Sequence, residues 1–256
     1  MSSTVEKALT LLEHLSIYDA PVRLADLART CDMNKSTAFR MLETMSRLGY
    51  VTQDGPNGRY MITTRMWEIG IRAFQRGDLR AHARPYLQKI VEETNETALL
   101  AHADGTDVVI VEKLDCSQAL QMVAPLGSRS PLHASSFGKA FLMANPDRTA
   151  DLTLTRFTPG TIADHTTLLQ NLVEADRQGV AIGVNEYRQG VSGVAAPVRG
   201  PDGVVHAMIG ISLPTIRMTD EARPLFIHSV REAAQAFSEQ LGYRTGDPAP
   251  AAPTPA

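Results

Sequence analysis

The chain has 256 residues, 43% of them hydrophobic, and a formal net charge of −3 at pH 7. This length allows two domains, and no apolar run reaches the roughly 18 residues of a membrane-spanning helix. The N-terminus lacks a signal-peptide pattern, so we expect a cytoplasmic protein. Its two cysteines, Cys31 and Cys116, lack the paired spacing of zinc sites. We expect both in core positions, with no structural metal and no cofactor.

The basic residues are concentrated in one segment. Residues 33–65 carry five Lys or Arg residues against two Asp or Glu residues, whereas residues 66–256 carry 17 against 21. Binding to DNA needs local positive charge that neutralises phosphates. Any contact with DNA is therefore expected in the N-terminal quarter.

Three short helices are predicted before residue 49. The third begins after Asn34, a suitable N-cap, and ends at Gly49, which can adopt a left-handed backbone. Helical spacing of apolar residues predicts the core-facing side of each helix. These inward-facing residues are Val5, Ala8, Leu9, Leu12 and Leu15, then Leu24, Leu27 and Ala28, then Ala38, Met41, Leu42, Met45 and Leu48.

A β-hairpin and two further helices are predicted next. Strands at 50–52 and 59–62 flank the turn-rich residues 54–58, a pattern typical of the wing of a winged helix-turn-helix. Helices at 64–75 and 79–94 then follow. We therefore expect a DNA-binding domain over residues 1–63 and linker helices over residues 64–94.

The second half of the chain predicts an α+β domain over residues 95–243. Helices are expected at 136–144, 167–178 and 219–241, with Gly179 and Gly242 as C-terminal stops. The tail, 244–256, is rich in Pro and Ala, and we expect it to be disordered. Short apolar runs bounded by turn residues predict strands at 99–102, 108–114, 120–124, 180–184, 193–198 and 204–212.

The exposed side of the third helix combines cations with short hydroxyl side chains. Arg40 can reach a guanine edge in the major groove, and Arg59 beside Asn57 can contact DNA from the wing. A basic helix alone is usually only a solvated surface, but a wing beside it favours DNA binding. The predicted DNA-binding residues are Arg23, Lys35, Ser36, Thr37, Arg40, Thr44, Arg47, Asn57 and Arg59.

Three segments resemble the IclR family of regulators. LADLARTCDMNKSTAFRMLETMSRLGYVTQDGPNGRYMI is similar to its DNA-binding domain. SPLHASSFGKAFL and RQGVAIGVNEYRQGVSGVAAPVRGPDGVVHAMIGISLP are similar to its effector domain, so the resemblance spans about residues 4–243. It implies a winged helix-turn-helix followed by a GAF-like domain with a curved sheet. It also implies a homodimer or homotetramer, a palindromic operator and control of metabolic genes, with repression or activation left open.

A candidate site for a small organic acid lies in the second domain. Ser135 is a suitable N-cap, so the N–H groups of Ser136 and Phe137 are expected to face a carboxylate. The resemblance implies that Ser136, Phe137, Gly183, Gly193, Gly210 and Ser212 line an effector pocket, with His133, Asn185 and Glu186 as further candidates. We expect the methionines of the apolar runs, Met122, Met143 and Met208, to be core residues.

Three glycines depart from the family members that bind glyoxylate or pyruvate. Such members typically carry an acid, a thiol and a hydroxyl where this chain has Gly183, Gly193 and Gly210. Two explanations stay open at this point. Either a larger ligand fills the vacated space, or backbone groups and Ser212 hold more of the ligand.

Two other functions are weighed against a ligand-responsive regulator. One is a ligand-insensitive DNA-binding protein whose C-terminal domain only oligomerises. The other is a hydrolase that uses His133, Ser135 and Glu186. The chain has no G-x-S-x-G motif and no metal-spaced cluster of ligands, so we expect a regulator rather than an enzyme.

Overall fold

The computed structural model describes residues 4–18, 20–55, 58–74 and 79–244. The chain divides into two compact units, residues 1–78 and 79–256. No helix among the described residues is long and apolar enough to cross a membrane. The predicted wing residue Asn57 and the predicted disordered tail beyond Arg244 lie outside the described residues.

The first unit is a winged helix-turn-helix, which confirms the predicted fold of this half. The two strands pair antiparallel, with Val51 opposite Ile62 and Gln53 opposite Tyr60. Gly49 has a φ of +80° and follows the third helix as predicted. The elements are α1 (Thr4–Ser16), α2 (Leu24–Thr30), α3 (Lys35–Arg47), β1 (Val51–Gln53), β2 (Tyr60–Ile62) and α4 (Arg65–Phe74).

The core of this unit corrects part of the predicted inward face. Val5 and Leu9 are 68% and 54% exposed, whereas Leu11 is fully buried. Packing against α2 and α3 buries Leu11 and Leu15 of helix α1, and Leu12 is partly buried against the same core. Leu48, the C-cap of α3, is 51% exposed.

The second unit is an antiparallel six-stranded sheet with helices on both faces, which confirms the α+β prediction. The strand order is β5-β4-β3-β8-β7-β6. Gly179 closes α7 with a φ of +73°, as predicted. The elements are α5 (Leu79–Thr94), β3 (Thr97–Asp104), β4 (Asp107–Leu114), β5 (Arg129–Pro131), α6 (Ser136–Ala144), α7 (His165–Gln178), β6 (Ala181–Val184), β7 (Val191–Arg199), β8 (Val205–Pro214) and α8 (Arg223–Gln240), with 3-10 turns at Pro146–Thr149 and Thr215–Arg217.

Each face of the sheet has its own core. Ala98 and Leu100 of β3 pack on α5 and α8. Leu99 and Ala101, which alternate with them along the strand, pack on α6 and α7. Helix α5 packs in the core of the second unit. The predicted linker of residues 64–94 therefore has its first part, up to residue 78, in the first unit and the remainder in the second. The limits of the linker stay a prediction.

The predicted strand at 120–124 is wrong. These residues belong to the connection between β4 and β5, where Val123 is 72% exposed. The connection is held at two points, since Gly127 N–H donates to the Ile110 carbonyl at 2.7 Å and the Arg217 guanidinium donates to the Leu120 carbonyl at 3.0 Å. Cys116 in the same connection is buried, as predicted.

Candidate DNA interface and effector pocket

Helix α3 presents its predicted polar side to solvent. Ala38, Leu42 and Met45 are buried in the core of the first unit, which fixes the rotation of the helix. Thr44 Oγ1 donates to the Arg40 carbonyl at 2.9 Å, and Arg40 itself is exposed. The exposed predicted residues are Lys35, Ser36, Arg40, Thr44 and Arg47, and Thr37 is partly buried.

The predicted cations of this unit are not paired with carboxylates. Within residues 4–18, 20–55 and 58–74, the side chains of Arg23, Lys35, Arg40, Arg47 and Arg59 are exposed and form no ion pair. Positive charge that is free in this way can neutralise phosphates without first breaking a salt bridge. The arrangement therefore suits a DNA backbone.

A groove of about 570 Å³ brings two of these cations together. Its walls include Arg23 before α2, Phe39 of α3 and Arg59 of the wing. Reciprocal 2.8 Å hydrogen bonds between the backbones of Val22 and Tyr60 tie these two segments to each other. Phe39 was not among the predicted DNA-binding residues, although it is an apolar residue on the polar side of an amphipathic helix.

The second unit contains a cavity of about 140 Å³ beside the N-terminus of α6. Six of the predicted effector residues line it, namely Ser136, Phe137, Gly183, Glu186, Gly193 and Ser212. The other three, His133, Asn185 and Gly210, are not on its wall. The apolar wall includes Leu99, Ile110, Met122, Val123, Ala124, Phe137 and Val191.

Met122 was expected in the core and instead lines this cavity. Its segment has no strand to pair with, so its apolar side chains face the cavity or solvent rather than a sheet face. Met143 and Met208 are buried as predicted.

The N-terminus of α6 has the features of an anion-binding site. Ser135 is the N-cap, and its Oγ accepts from the Gly138 N–H at 3.1 Å and donates to the Pro131 carbonyl at 2.9 Å. The N–H groups of Ser136 and Phe137 have no acceptor within the helix. They lie at the positive end of the helix dipole and on the cavity wall.

The three unusual glycines permit close packing. A Cβ at Gly193 would lie 2.6 Å from Ser136 Oγ, and one at Gly183 would lie 3.2 Å from the Ser136 nitrogen. A Cβ at Gly210 would lie 2.1 Å from the Val194 carbonyl oxygen. Protein atoms therefore occupy the space beside these glycines. Of the two explanations, this favours the one in which backbone groups hold the ligand over the one in which a larger ligand fills the space.

A buried ion pair adjoins the cavity, since Glu186 lines it and Lys139 does not. The Lys139 side chain is 0% exposed, and its Nζ donates to Glu186 Oε1 and to the Ile182 carbonyl, both at 2.7 Å. Burial lowers the pKa of Lys139 from its usual value, and the Glu186 carboxylate partly opposes that shift. Lys139 was not among the predicted site residues, although a lysine within the apolar run SFGKAFLMA is an unusual feature of the sequence.

Asn185 supports the loop that carries Glu186, and His133 contacts a different segment, at Thr155. His133 Nε2 lies 2.9 Å from the Thr155 carbonyl oxygen. Asn185 has a φ of +55°, and its Oδ1 accepts from the Gly190 N–H at 2.7 Å and from Thr215 Oγ1 at 3.0 Å. Each residue therefore has a structural partner away from the cavity.

The groups suggested for a hydrolase are not assembled into a catalytic set. Ser135 Oγ is engaged with the Pro131 carbonyl and the Gly138 N–H, His133 with Thr155, and Glu186 with Lys139. A nucleophile needs a base within hydrogen-bond reach. The geometry gives Ser135 a capping role instead.

A winged helix-turn-helix with unpaired surface cations, in one chain with an α+β unit that holds a small-molecule cavity, defines a ligand-responsive DNA-binding regulator. Comparison with protein families agrees with this class. The IclR helix-turn-helix domain matches residues 4–55, and the bacterial transcriptional regulator IclR C-terminal domain matches residues 71–239. The chain belongs to the IclR family of transcriptional regulators, and it is not an enzyme.

Similar proteins span nearly the whole chain. The HTH-type transcriptional regulator KdgR of Escherichia coli K12 is 32% identical over 94% of this chain and 93% of its own length. The HTH-type transcriptional repressor AllR of Klebsiella pneumoniae is 32% identical over 95% and 91%. The crystal structure of Thermotoga maritima IclR has a TM-score of 0.79 at 26% identity, covering 94% and 99%.

One similar structure contains a small molecule. It is an IclR homolog from Microbacterium hydrocarbonoxydans in complex with 4-hydroxybenzoate, with a TM-score of 0.80 and 25% identity, covering 94% of this chain and 99% of that one.

Proposed function

We propose that the protein senses a small organic acid and that the bound acid changes its affinity for a palindromic operator. The observation that carries the choice of an acid is the N-terminus of α6, where the N–H groups of Ser136 and Phe137 meet the cavity. A helix N-terminus favours a carboxylate through its free N–H groups and its dipole. The 4-hydroxybenzoate complex of a relative supports the same class of ligand.

The cavity suits a small acid. Its volume of about 140 Å³ is close to the roughly 150 Å³ of an engineered cavity that binds benzene. Leu99, Ile110 and Phe137 give it an apolar wall that suits a short aliphatic or single-ring body. We expect the carboxylate to bind the α6 N-terminus and Ser212, with the body of the acid against this wall.

On DNA, we assign Arg40 to a base edge and the other cations to phosphates. Arg40 lies in the middle of the exposed side of α3, as a recognition helix in the major groove requires. Arg23 and Arg59 line one groove and are placed to hold the flanking backbone. A homodimer, or a dimer of dimers, would give two recognition helices for two half-sites. Because it acts on DNA, we place the protein in the cytoplasm.

The acid site is tested with two variants of one residue. Ser136→Pro removes the N–H at the first helical position, where proline is tolerated, and Ser135 already has the extended backbone that a following proline needs. Ser136→Ala keeps the N–H. We expect Pro, and not Ala, to abolish the acid-dependent change in a gel shift on the protein's own upstream DNA. An equal response of both variants would contradict the α6 site.

The DNA site is tested in the same gel shift without acid. Arg40→Ala should weaken specific binding by about 1–3 kcal/mol per half-site. The matched control is Arg177→Ala, an exposed arginine of α7 in the other unit. Unchanged affinity and selectivity of Arg40→Ala would refute the base-reading assignment. A specific shift that no acid alters would favour the ligand-insensitive alternative.

A further inference from the structure

Phe39 is a large apolar side chain that α3 leaves exposed. It is 45% exposed, and it belongs neither to the buried core of the first unit nor to the apolar residues packed against that core. Ser36, Arg40 and Glu43 beside it on the helix are exposed polar residues. Single exposed apolar residues are common on protein surfaces. Phe39 differs from them because it lies on the side of α3 that we assign to DNA.

The groove that Phe39 lines carries positive charge. Arg23 and Arg59 lie on its wall, and Asp54 is the one acid among the residues of that wall. Within the described residues of the first unit, neither guanidinium forms an ion pair. An occupant that fits this groove is negatively charged near the two arginines and apolar where it meets Phe39. The major groove of duplex DNA has both properties, because phosphates border the edges of the bases.

Thymine supplies the apolar group in the major groove. A recognition helix contacts the edges of the base pairs there. These edges present hydrogen-bond donors and acceptors, and thymine alone among the four bases adds a methyl group, on C5. Phenylalanine is one of the side chains that make an apolar contact with this methyl group.

We infer that Phe39 is a specificity-determining residue that contacts the C5 methyl group of a thymine in each half-site of the operator. The inference rests on the proposed function, because it assumes that α3 enters the major groove. Arg40 then selects a base by hydrogen bonds, and Phe39 selects thymine by an apolar contact. Because the two residues are adjacent in α3, the thymine lies close to the base that Arg40 reads.

The inference is tested by removing the methyl group from the DNA. Two fragments of the protein's own upstream DNA are compared in a gel shift of the full chain without acid. One contains thymidine, and the other contains deoxyuridine at every thymidine position, which keeps the base pairing and lacks the methyl group. We expect the thymidine fragment to bind about fourfold more tightly for each methyl group contacted, as for the burial of one carbon. Two half-sites together give about fifteenfold.

Variants of Phe39 show whether this side chain is the one that contacts the methyl group. Phe39→Ala removes the apolar contact, so its affinities for the two fragments should agree within about twofold. Phe39→Leu keeps an apolar side chain and should retain most of the preference. The matched control is Phe157→Ala, because Phe157 is 42% exposed and belongs to the second unit. It should keep the full preference. Melting temperatures of the variants show that each one is folded.

Replacement of single thymidines separates a contact from a change in DNA shape. Deoxyuridine is placed at one thymidine position of a half-site at a time. A contact with Phe39 predicts that the loss is confined to one or two positions and is absent in Phe39→Ala. An equal small loss at every position would indicate a change in DNA shape and would overturn the inference.

The outcomes also separate this inference from the proposed function. Equal binding of the two fragments by the parent protein, or a full preference retained by Phe39→Ala, would overturn the role of Phe39. If Arg40→Ala still weakens specific binding in that case, the DNA site on α3 stands. If the parent protein binds neither fragment specifically, the operator proposal and the role of Phe39 are both wrong.

Discussion

A methyl group added at Gly193 should disturb the acid site through the close contact between Gly193 and Ser136. Gly193 lies in β7 directly opposite Gly183 of β6. Its new Cβ would lie 2.6 Å from Ser136 Oγ and 2.9 Å from the Ile211 carbonyl oxygen. The serine hydroxyl can rotate away, but the carbonyl belongs to the neighbouring strand β8 and cannot. We therefore expect Gly193→Ala to push the sheet and the α6 N-terminus apart.

The size of this effect follows from two opposing terms. Overpacking of a buried site costs about 1–3 kcal/mol. Replacement of glycine by alanine recovers about 0.4–1 kcal/mol by restricting the unfolded chain. At the midpoints of these ranges the net loss is about 1.3 kcal/mol, which lowers the melting temperature by about 3–5 °C for a unit of this size.

Thermal melting followed by titration with the best-bound acid measures both consequences. Gly193→Ala should also bind the acid about tenfold more weakly, since Ser136 is displaced from it. Gly183→Ala is the matched control: its Cβ would lie 3.2 Å from the Ser136 nitrogen, so a smaller loss is expected. If Gly193→Ala melts and binds like the parent, Ser136 does not pack on this strand as described.

Three further changes probe the DNA surface, the buried pair and a helix cap. Arg59→Ala should weaken binding to all DNA sequences and lower the slope of log affinity against log salt by about one. Lys139→Met should cost about 3–5 kcal/mol in denaturant unfolding, because it leaves Glu186 buried without its cation. Asp164→Ala should lower the melting temperature at neutral pH. Hydrogen bonds from Thr167 lower the pKa of the Asp164 carboxyl from its usual 3.8, and the bond from the Thr167 side chain has a larger effect than the bond from its backbone. That stabilisation is present above pH 3.8 and disappears as the pH falls through the lower folded value.

Each of these has a contrary result. A sequence-dependent loss in Arg59→Ala would indicate base reading from the wing. Equal stability of Lys139→Met and the parent would mean that the pair is not buried as described. A pH-independent deficit in Asp164→Ala would show that the cap acts without its charge.

The elements that the sequence predicted well carry their own local signals. Helix α3 has an apolar stripe and a following glycine, and α7 ends at Gly179 in the same way. The apolar run 120–124 has the composition of a strand but faces a cavity, which composition cannot reveal. Strand β5 has three residues, Arg-Ser-Pro, and is defined by its partner β4 rather than by its own side chains.

Features of the site that depend on residues adjacent in sequence could be predicted. Features that depend on how the strands pair could not. Ser135 could be recognised as a cap from the residues that follow it. The roles of the glycines could not be separated, because Gly183 and Gly193 meet Ser136 only through the pairing of β6 with β7, and Gly210 lies opposite Ala195 instead. Lys139 and Glu186 are 47 residues apart, so their pairing exists only in the folded sheet.

The connection between β4 and β5 separates ligand choice from folding. Met122, Val123, Ala124 and Pro125 supply one wall of the cavity, yet none of them belongs to a strand of the sheet. Substitutions there can change the shape of the cavity while the hydrogen-bonded ladder stays intact, and of the four only Ala124 also packs against a core, the one beside α6 and α7. A library at these four positions, selected through a reporter gene, would retune the sensor to new acids while keeping the same DNA target. Descendants of one ancestral gene could diverge in ligand by the same route.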